Sequence, residues 1–306
     1  MHFVSEKEQA SWAGFMLARG LDKSIFQRHK IGLILRANSN TYESVGSNRI
    51  KFCFYDLMEP LDELHKQILD DELDILMGPP SVLSHFADID SPINVQKMVS
   101  VAEVLEDTDR HKIESHFGLT LHQFYSSTEG EIAATCEYGN LHINEGMMVI
   151  QKSWIDEAKG WYNPIITDFR RTTQPIIRYK LNDILVAPKA KCPCGDAREV
   201  INSVMGRSDD MFHLTSNDGG TELVVPDLIR RAIMQMSNEI TDYIAIQKSP
   251  SQIDIQLKPQ GLDDLSMTGF ENLWQSKNIK PPNLAIKPYT HIPSVAKLRR
   301  IYRQFK

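Results

Sequence analysis

Apolar positions along the chain change period several times, and each change predicts an element. In EKEQASWAGFMLARGL, residues 6–21, Trp12, Phe15, Met16 and Leu17 fall near helical spacing, and Gly20 can end the helix. KIGLILRAN is then a short apolar run of strand length, and RIKFCFYD alternates with aromatic residues as a second strand. EPLDELHKQILDDE is amphipathic, with Leu61, Leu64, Ile68 and, one turn on, Leu73 on a face. DILMGPPS predicts a buried strand stopped by Pro79 and Pro80. QKMVSVAEV predicts another strand, DTDRHKIESHFG a helix, and TLHQFYSSTEG a strand that runs into a loop. Strand–helix–strand alternation with buried-type strands predicts an α/β fold with a mainly parallel sheet.

From about Glu131 the pattern shifts to short strands at close spacing: LHINE, MMVIQKSW, NPIITDF, QPIIRYKLND and ILVAP. Residues 131–205 therefore predict a small mixed or antiparallel β-subdomain. Gly206 to Asp210, a glycine followed by small polar residues, marks a domain boundary. Beyond it, TELVVPDLIRRAIMQM, DYIAIQKS and QIDIQLKP predict a strand–helix–strand–strand set, hence a smaller α+β domain over residues 206–306. No internal repeat or low-complexity segment interrupts this plan.

Composition narrows the class. The 306 residues, 42% hydrophobic and 24% charged, are those of an ordinary globular protein of one large domain or a large and a small one. A formal charge of -6 gives no electrostatic reason to expect nucleic acid or an anionic membrane as partner. Five basic groups do crowd the last ten residues, which by itself suits a solvated tail. No apolar run approaches the roughly 20 residues that span a bilayer, and the N-terminus lacks the order of a secretory signal. The protein is therefore expected in the cytosol, where its Cys192–Cys194 pair is better suited to a metal than to a disulfide. A homo-oligomer stays open.

The common phosphate loop, dinucleotide fingerprint, serine-hydrolase elbow and helical zinc-protease motif are all absent. Four other segments could carry chemistry. YSSTEG offers Ser126, Ser127 and Thr128 to a phosphate and Glu129 to a hard cation, or simply makes a capped turn. RYKLNDI places Asp183 at a strand's end, where it could accept both ribose hydroxyls or close an Asx turn. GRSDD offers Arg207 to ribose or phosphate and Asp209 or Asp210 as a linker pivot, or makes a surface turn. KLRR offers a lysine able to bridge carboxylate and phosphate, or a solubilising tail.

Singly these segments decide little, but their order, with ILRANSNTYESVGS, MGPPSVL, STEGEIAATC and TDFRRTTQPIIRYKLNDIL between and around them, resembles the adenylate-forming superfamily of acyl-CoA synthetases. The branch it is most similar to holds phenylacetate–CoA ligases and deazaflavin-coenzyme synthetases. The resemblance implies a fold with an incomplete N-terminal AMP-binding α/β domain over 1–205 and a small C-terminal domain after a hinge. It implies activation of a carboxylic acid by ATP and Mg2+ to an acyl-AMP, then transfer to CoA or another thiol. Thr128 would contact the AMP phosphate, Glu129 would help bind Mg2+, and Lys297 would orient carboxylate and α-phosphate. Tyr125 would stack near the adenine, with Ser126 and Ser127 in the same loop and Ala102–Glu103 lining the adenine side. Asp183 would hold the ribose with Arg207 beside it, and Asp209 would be the hinge. Asn182 stands where the family has a glycine. The family's Ser/Thr/Gly-rich phosphate loop would precede Met1, so the chain is expected to be a truncated member, one completed by another chain, or a non-catalytic, zinc-stabilised nucleotide- or partner-binding remnant.

Cys136 and His142 form C-x5-H, and Cys192 and Cys194 form C-P-C-G; three thiolates and an imidazole could close a tetrahedral zinc site. A lone histidine in a strand is more often packed, but related phenylacetate–CoA ligase-like proteins place such a set here, which implies a structural zinc. Cys53, in an alternating strand, is expected in the core.

Overall fold

The computed structural model describes residues 4–21, 27–35, 48–90, 93–292 and 298–305. The chain divides into two compact units. The first runs to Leu181 and resumes over Leu185–Val204; the second comprises Asn182–Ile184, Met205–Ile292 and the described residues from Leu298. No helix among the described residues is long and apolar enough to cross a membrane.

The first unit is built on a sheet whose parallel strands are β1 (His29–Leu35), β2 (Ile50–Asp56), β3 (Ile75–Gly78), β4 (Lys97–Ser100) and β5 (Leu121–Ser127), in the spatial order β2–β1–β3–β4–β5. Every residue of β3 and β4 is buried, as strands covered on both faces require. Alternation assigns the faces. Ile34, Leu76 and Met98 point to the side covered by α2 (Leu61–Asp70), α3 (Pro80–Phe86) and α4 (Asp107–Phe117), where Leu64, Ile68, Phe86 and Ile113 meet them. Ile31, Leu33, Met77 and Val99 point to the other side, against Phe15, Met16 and Leu17 of α1 (Glu6–Gly20). α1 opens with a capping box in which Ser5 and Glu8 satisfy each other's backbone N–H groups, an arrangement worth about 1 kcal/mol. α4 stops at Gly118, whose φ of 66° suits a residue without a Cβ.

Pro79 and Pro80 do end β3, but Pro80 also opens α3, a helix the apolar pattern does not announce. Its ring supplies the fixed φ that a first helical position needs. The strands after Glu131 also divide differently from the expected β-subdomain. β6 (Gly130–Thr135), β7 (Leu141–Ile143) and β12 (Val200–Ile201) extend the first sheet in antiparallel fashion beyond β5. A separate sheet begins only at β8 (Met148–Asp156), pairs it with β9 (Trp161–Asp168), and continues through β10 (Tyr179–Lys180), β11 (Asp183–Val186) and β13 (Ser203–Arg207). Ile132, Leu141 and Ile143 of the first sheet share one core with Tyr162, Ile166 and Leu185 of the second.

The second unit pairs β14 (Phe212–Thr215) with β15 (Thr221–Val224) and carries α5 (Pro226–Met234), β16 (Asp242–Ser249), β17 (Gln252–Lys258), α6 (Thr268–Ser276), β18 (Asn283–Pro288) and β19 (Ile301–Arg303). Its sheet runs β18–β17–β16–β19. Phe212, Ile233, Tyr243, Ile255, Phe270 and Trp274 fill its core. The buried amide of Gln247 accepts from the His213 N–H at 2.8 Å and donates to the His213 and Ser249 carbonyls, so no polar group is stranded there.

Candidate functional site

The order β2–β1–β3–β4–β5 is that of an open α/β sheet, in which ligands bind beyond the carboxyl ends of the strands. At these ends the first unit gathers three of the expected segments. β3 leads into Ser81, β4 into Ala102–Glu103, and β5 into Ser126–Glu129. Ala102 is exposed and left-handed at φ 69°, a conformation that costs a residue with a Cβ about 1 kcal/mol. The Ser81 hydroxyl donates to the Glu103 carboxylate at 2.7 Å, and the Glu103 N–H reaches the Val101 carbonyl at 2.9 Å. The bend after β4 is thus held from both sides while Ala102 stays exposed.

Between β5 and β6 the chain turns on Thr128 and Glu129. Ser126 and Thr128 are exposed, whereas Glu129 is buried. The Thr128 hydroxyl donates to Glu129 Oε2 at 3.1 Å, and the Glu129 N–H donates to Ser127 Oγ at 3.2 Å. Tyr125 lies in the core shared by the two sheets and is 8% exposed. The turn is backed by Asp168, whose second carboxylate oxygen would sit 2.8 Å from a Cβ at position 130, so a side chain there would have to displace that carboxylate. Burial pushes the Asp168 carboxyl upward, against the N–H groups of Arg170 and Arg171 that its first oxygen accepts. Nothing in the apolar pattern marks Asp168, Arg171 or Ser81, because each acts through a tertiary contact.

Asp183, Arg207, Asp209 and Asn182 come together in the second unit. Asp183 Oδ1 lies 3.8 Å from Arg207 Nε, too loose and too exposed a pair to fix the guanidinium. The Asn182 amide donates to Asp209 at 2.6 Å, and the Ser208 N–H donates to the Asn182 carbonyl. The Asn182 side chain is therefore spent on Asp209, the expected hinge residue. Asp210, buried and paired with Arg299, is pushed up by burial against the pull of that arginine. Lys297 lies outside the described residues, as does most of the ILRANSNTYESVGS segment.

Cys136, His142, Cys192 and Cys194 present one ligand atom each, all within 4.8 Å of one another. Cys136 Sγ and Cys192 Sγ are 3.7 Å apart, and Cys194 Sγ is 3.4 Å from His142 Nε2. A tetrahedron with Zn–S near 2.3 Å and Zn–N near 2.05 Å has edges of about 3.8 and 3.6 Å. A disulfide would need sulfurs about 2.05 Å apart. His142 Nδ1 donates to the Arg198 carbonyl at 3.1 Å, which turns the Nε2 lone pair toward the sulfurs. Asn140 and the Asp196 N–H donate to Cys192 and Cys194 in turn. The residues present fit a closed tetrahedral metal site. Cys53 is part of the packing around the helix-covered face.

Glu131, the first side chain after Gly130 on β6, carries a carboxylate oxygen that is sealed from solvent and has no hydrogen-bond partner. Burial pushes its carboxyl from the ordinary 4.5 up to about 8. The folded chain therefore holds this proton more tightly than the unfolded chain, and stability falls as pH rises from about 4.5 toward 8. Glu131→Gln is expected to remove that decline and to gain on the order of 2 kcal/mol over the native protein at pH 8.5. Urea denaturation at pH 5.5 and 8.5 measures it; equal pH dependence in both proteins would contradict the assignment.

No family model matches the chain. A curated relative, Protein CapK of Staphylococcus aureus, is 28% identical over 158 residues, which are 51% of this chain and 34% of that protein. The chain thus spans roughly one third of the length of the curated relative it matches. Among solved structures, 2-hydroxyisobutyryl-CoA ligase in its postadenylation state with 2-HIB-AMP superposes with a TM-score of 0.68 at 17% identity, over 96% of this chain and 68% of that one. A benzoate CoA ligase from Burkholderia xenovorans gives 0.63 at 14% identity, covering 95% and 64%. An anthranilate CoA ligase with anthranoyl-AMP gives 0.57 at 12%, covering 89% and 58%. The chain has the fold of adenylate-forming CoA ligases.

Proposed function

We propose that the chain takes part in ATP-dependent, AMP-forming activation of a carboxylic acid, with CoA or another thiol as acceptor. The observation that carries this reading is the convergence of a strained, solvent-facing bend at Ala102–Glu103 with a hydroxyl-lined turn at Ser126–Glu129. Both sit at the carboxyl ends of adjacent parallel strands in a fold shared with CoA ligases. Thr128 is exposed on that turn and would meet the α-phosphate. Glu129 would hold Mg2+, which when bound neutralises phosphate charge. Ala102, Glu103 and Tyr125 would border the adenine. Asp183 would take the ribose hydroxyls with Arg207 beside it, Asp209 would serve as the hinge, and Lys297 would bridge carboxylate and phosphate. The finer kinship to phenylacetate–CoA ligases rests on the motifs of the sequence, and makes an aryl acid the first substrate to try.

The cysteine–histidine cluster would hold one zinc. Its four donors leave no open position, so the metal would brace the loops and take no part in the reaction. A thiolate-held metal would suit a reducing cytosol.

Pyrophosphate release from ATP and Mg2+ across a panel of carboxylic acids tests the activity. Acid-dependent release is expected. Binding of AMP without turnover of any acid would instead support a non-catalytic, zinc-stabilised remnant of the fold.

A further inference from the structure

Arg171 is 3% exposed, in the loop that follows β9. A buried guanidinium costs several kcal/mol unless its surroundings use it, and here two neighbours do. Its Nη1 donates to the Thr128 carbonyl at 2.7 Å, and its guanidinium lies over the Trp12 ring at 5.5 Å. Arg171 thereby fixes one peptide plane. The Thr128 carbonyl is held by Arg171, and the N–H across the same peptide, that of Glu129, is held by Ser127 Oγ. The two side chains attached to that plane are those read above as the phosphate and cation contacts.

The loop carrying Arg171 is in turn gripped by α1. Glu8 Oε1 accepts the N–H groups of Thr172 at 2.6 Å and Thr173 at 2.8 Å, while its other oxygen accepts the Ser5 N–H. Although burial opposes it, these N–H groups draw the Glu8 carboxyl well below its ordinary value, so it stays ionised. Glu8 and Trp12 are four residues apart and share one face of α1. A single helix face thus sets the loop, and the loop sets the turn.

We propose that Arg171 is a positioning residue for the Thr128–Glu129 turn, anchored by Glu8 and Trp12. Its relevance to nucleotide rests on the reading of that turn as a phosphate site. Arg171→Met keeps the length of the side chain and removes the donor. Glu8→Gln weakens the anchor without removing a buried cation, and serves where Arg171→Met does not fold. Hydrogen exchange of the Ser126–Gly130 amides and the affinity for Mg2+·ATP are measured on the full chain. Either variant is expected to speed exchange in that segment and weaken Mg2+·ATP binding by about tenfold, while exchange in β16 and β17 stays unchanged. Arg171→Lys, which restores a cation, is expected to recover part of both. Unchanged exchange at Ser126–Gly130 overturns the proposal. Faster exchange in a chain whose native form binds no Mg2+·ATP upholds the positioning role and removes the nucleotide reading alone.

Discussion

Loss of the metal is expected to open the loop between β11 and β12 and to lower the melting temperature on the order of 10 °C. The loop, Ala187–Glu199, contains not one buried residue and no helix or strand. Ordering each residue costs roughly 1–2 kcal/mol, and a structureless loop of this length is uncommon in a compact domain. Besides the cluster, the contacts that hold it lie mostly at its ends: the Ala187 N–H to the Gly160 carbonyl, the His142–Arg198 bond, the Glu199 N–H to Glu145, the Ile143 N–H to the Glu199 carbonyl, and the ion pair of Lys152 with Glu199. That pair is partly solvated and contributes little. A metal joining Cys192 and Cys194 to Cys136 and His142 would supply what apolar burial does not. Elemental analysis should find about one zinc per chain. Chelation, or the double change Cys192→Ser and Cys194→Ser, should expose Lys189 and Lys191 to trypsin while the parallel strands keep their exchange protection. A folded, protease-resistant protein free of metal would rule the site out.

The same cluster shows what the sequence made legible. With only four cysteines in the chain, the three that fall in two short loops stand out, and the structure does bring them with His142 within 4.8 Å. Their supports were invisible, since the carbonyl of Arg198 has no residue identity to read. Strand–helix alternation likewise announced β1 to β5, because buried strands read as apolar runs whatever their neighbours. It could not assign β6 and β7 to a sheet. A strand alternates with period two whether it lengthens the first sheet or starts a second, and only pairing across distant residues, such as Ile201 with Leu141, decides. α3 was hidden by its length of 7 residues behind two prolines. In α6 the spacing of Phe270, Leu273 and Trp274 is helical, but a glycine and a threonine at its start blunt the signal. At the candidate site, the residues proposed as ligand contacts were legible as motif positions. Those that aim the motif were not, because Arg171 acts on a backbone atom 43 residues away.

Lys297→Ala is expected to slow adenylate formation by about 10²–10³-fold while leaving thioester formation from a supplied acyl-adenylate within a few-fold of native. Attack of a carboxylate on the α-phosphate brings two anions together, and the charge that develops there must be met by a cation aimed at both. An ammonium does this as a compact point charge with three donors. Once the acyl-AMP exists, the carboxylate charge is gone and the reacting centre is a carbonyl approached by a thiolate, a step to which that lysine would contribute nothing in the proposed role. Glu129→Gln should behave differently. It keeps the hydrogen bond from the Thr128 hydroxyl but loses the charge that would hold Mg2+, so its defect should shrink as Mg2+ is raised, whereas that of Lys297→Ala should not. Two single-turnover measurements separate these roles: pyrophosphate burst with ATP and acid, and thioester formation from the adenylate. Equal loss of both steps in Lys297→Ala would show that the substitution disturbs the fold or the nucleotide pocket at large. Insensitivity of the Glu129→Gln defect to Mg2+ would remove the cation from that carboxylate and leave Glu129 as a prop for the turn.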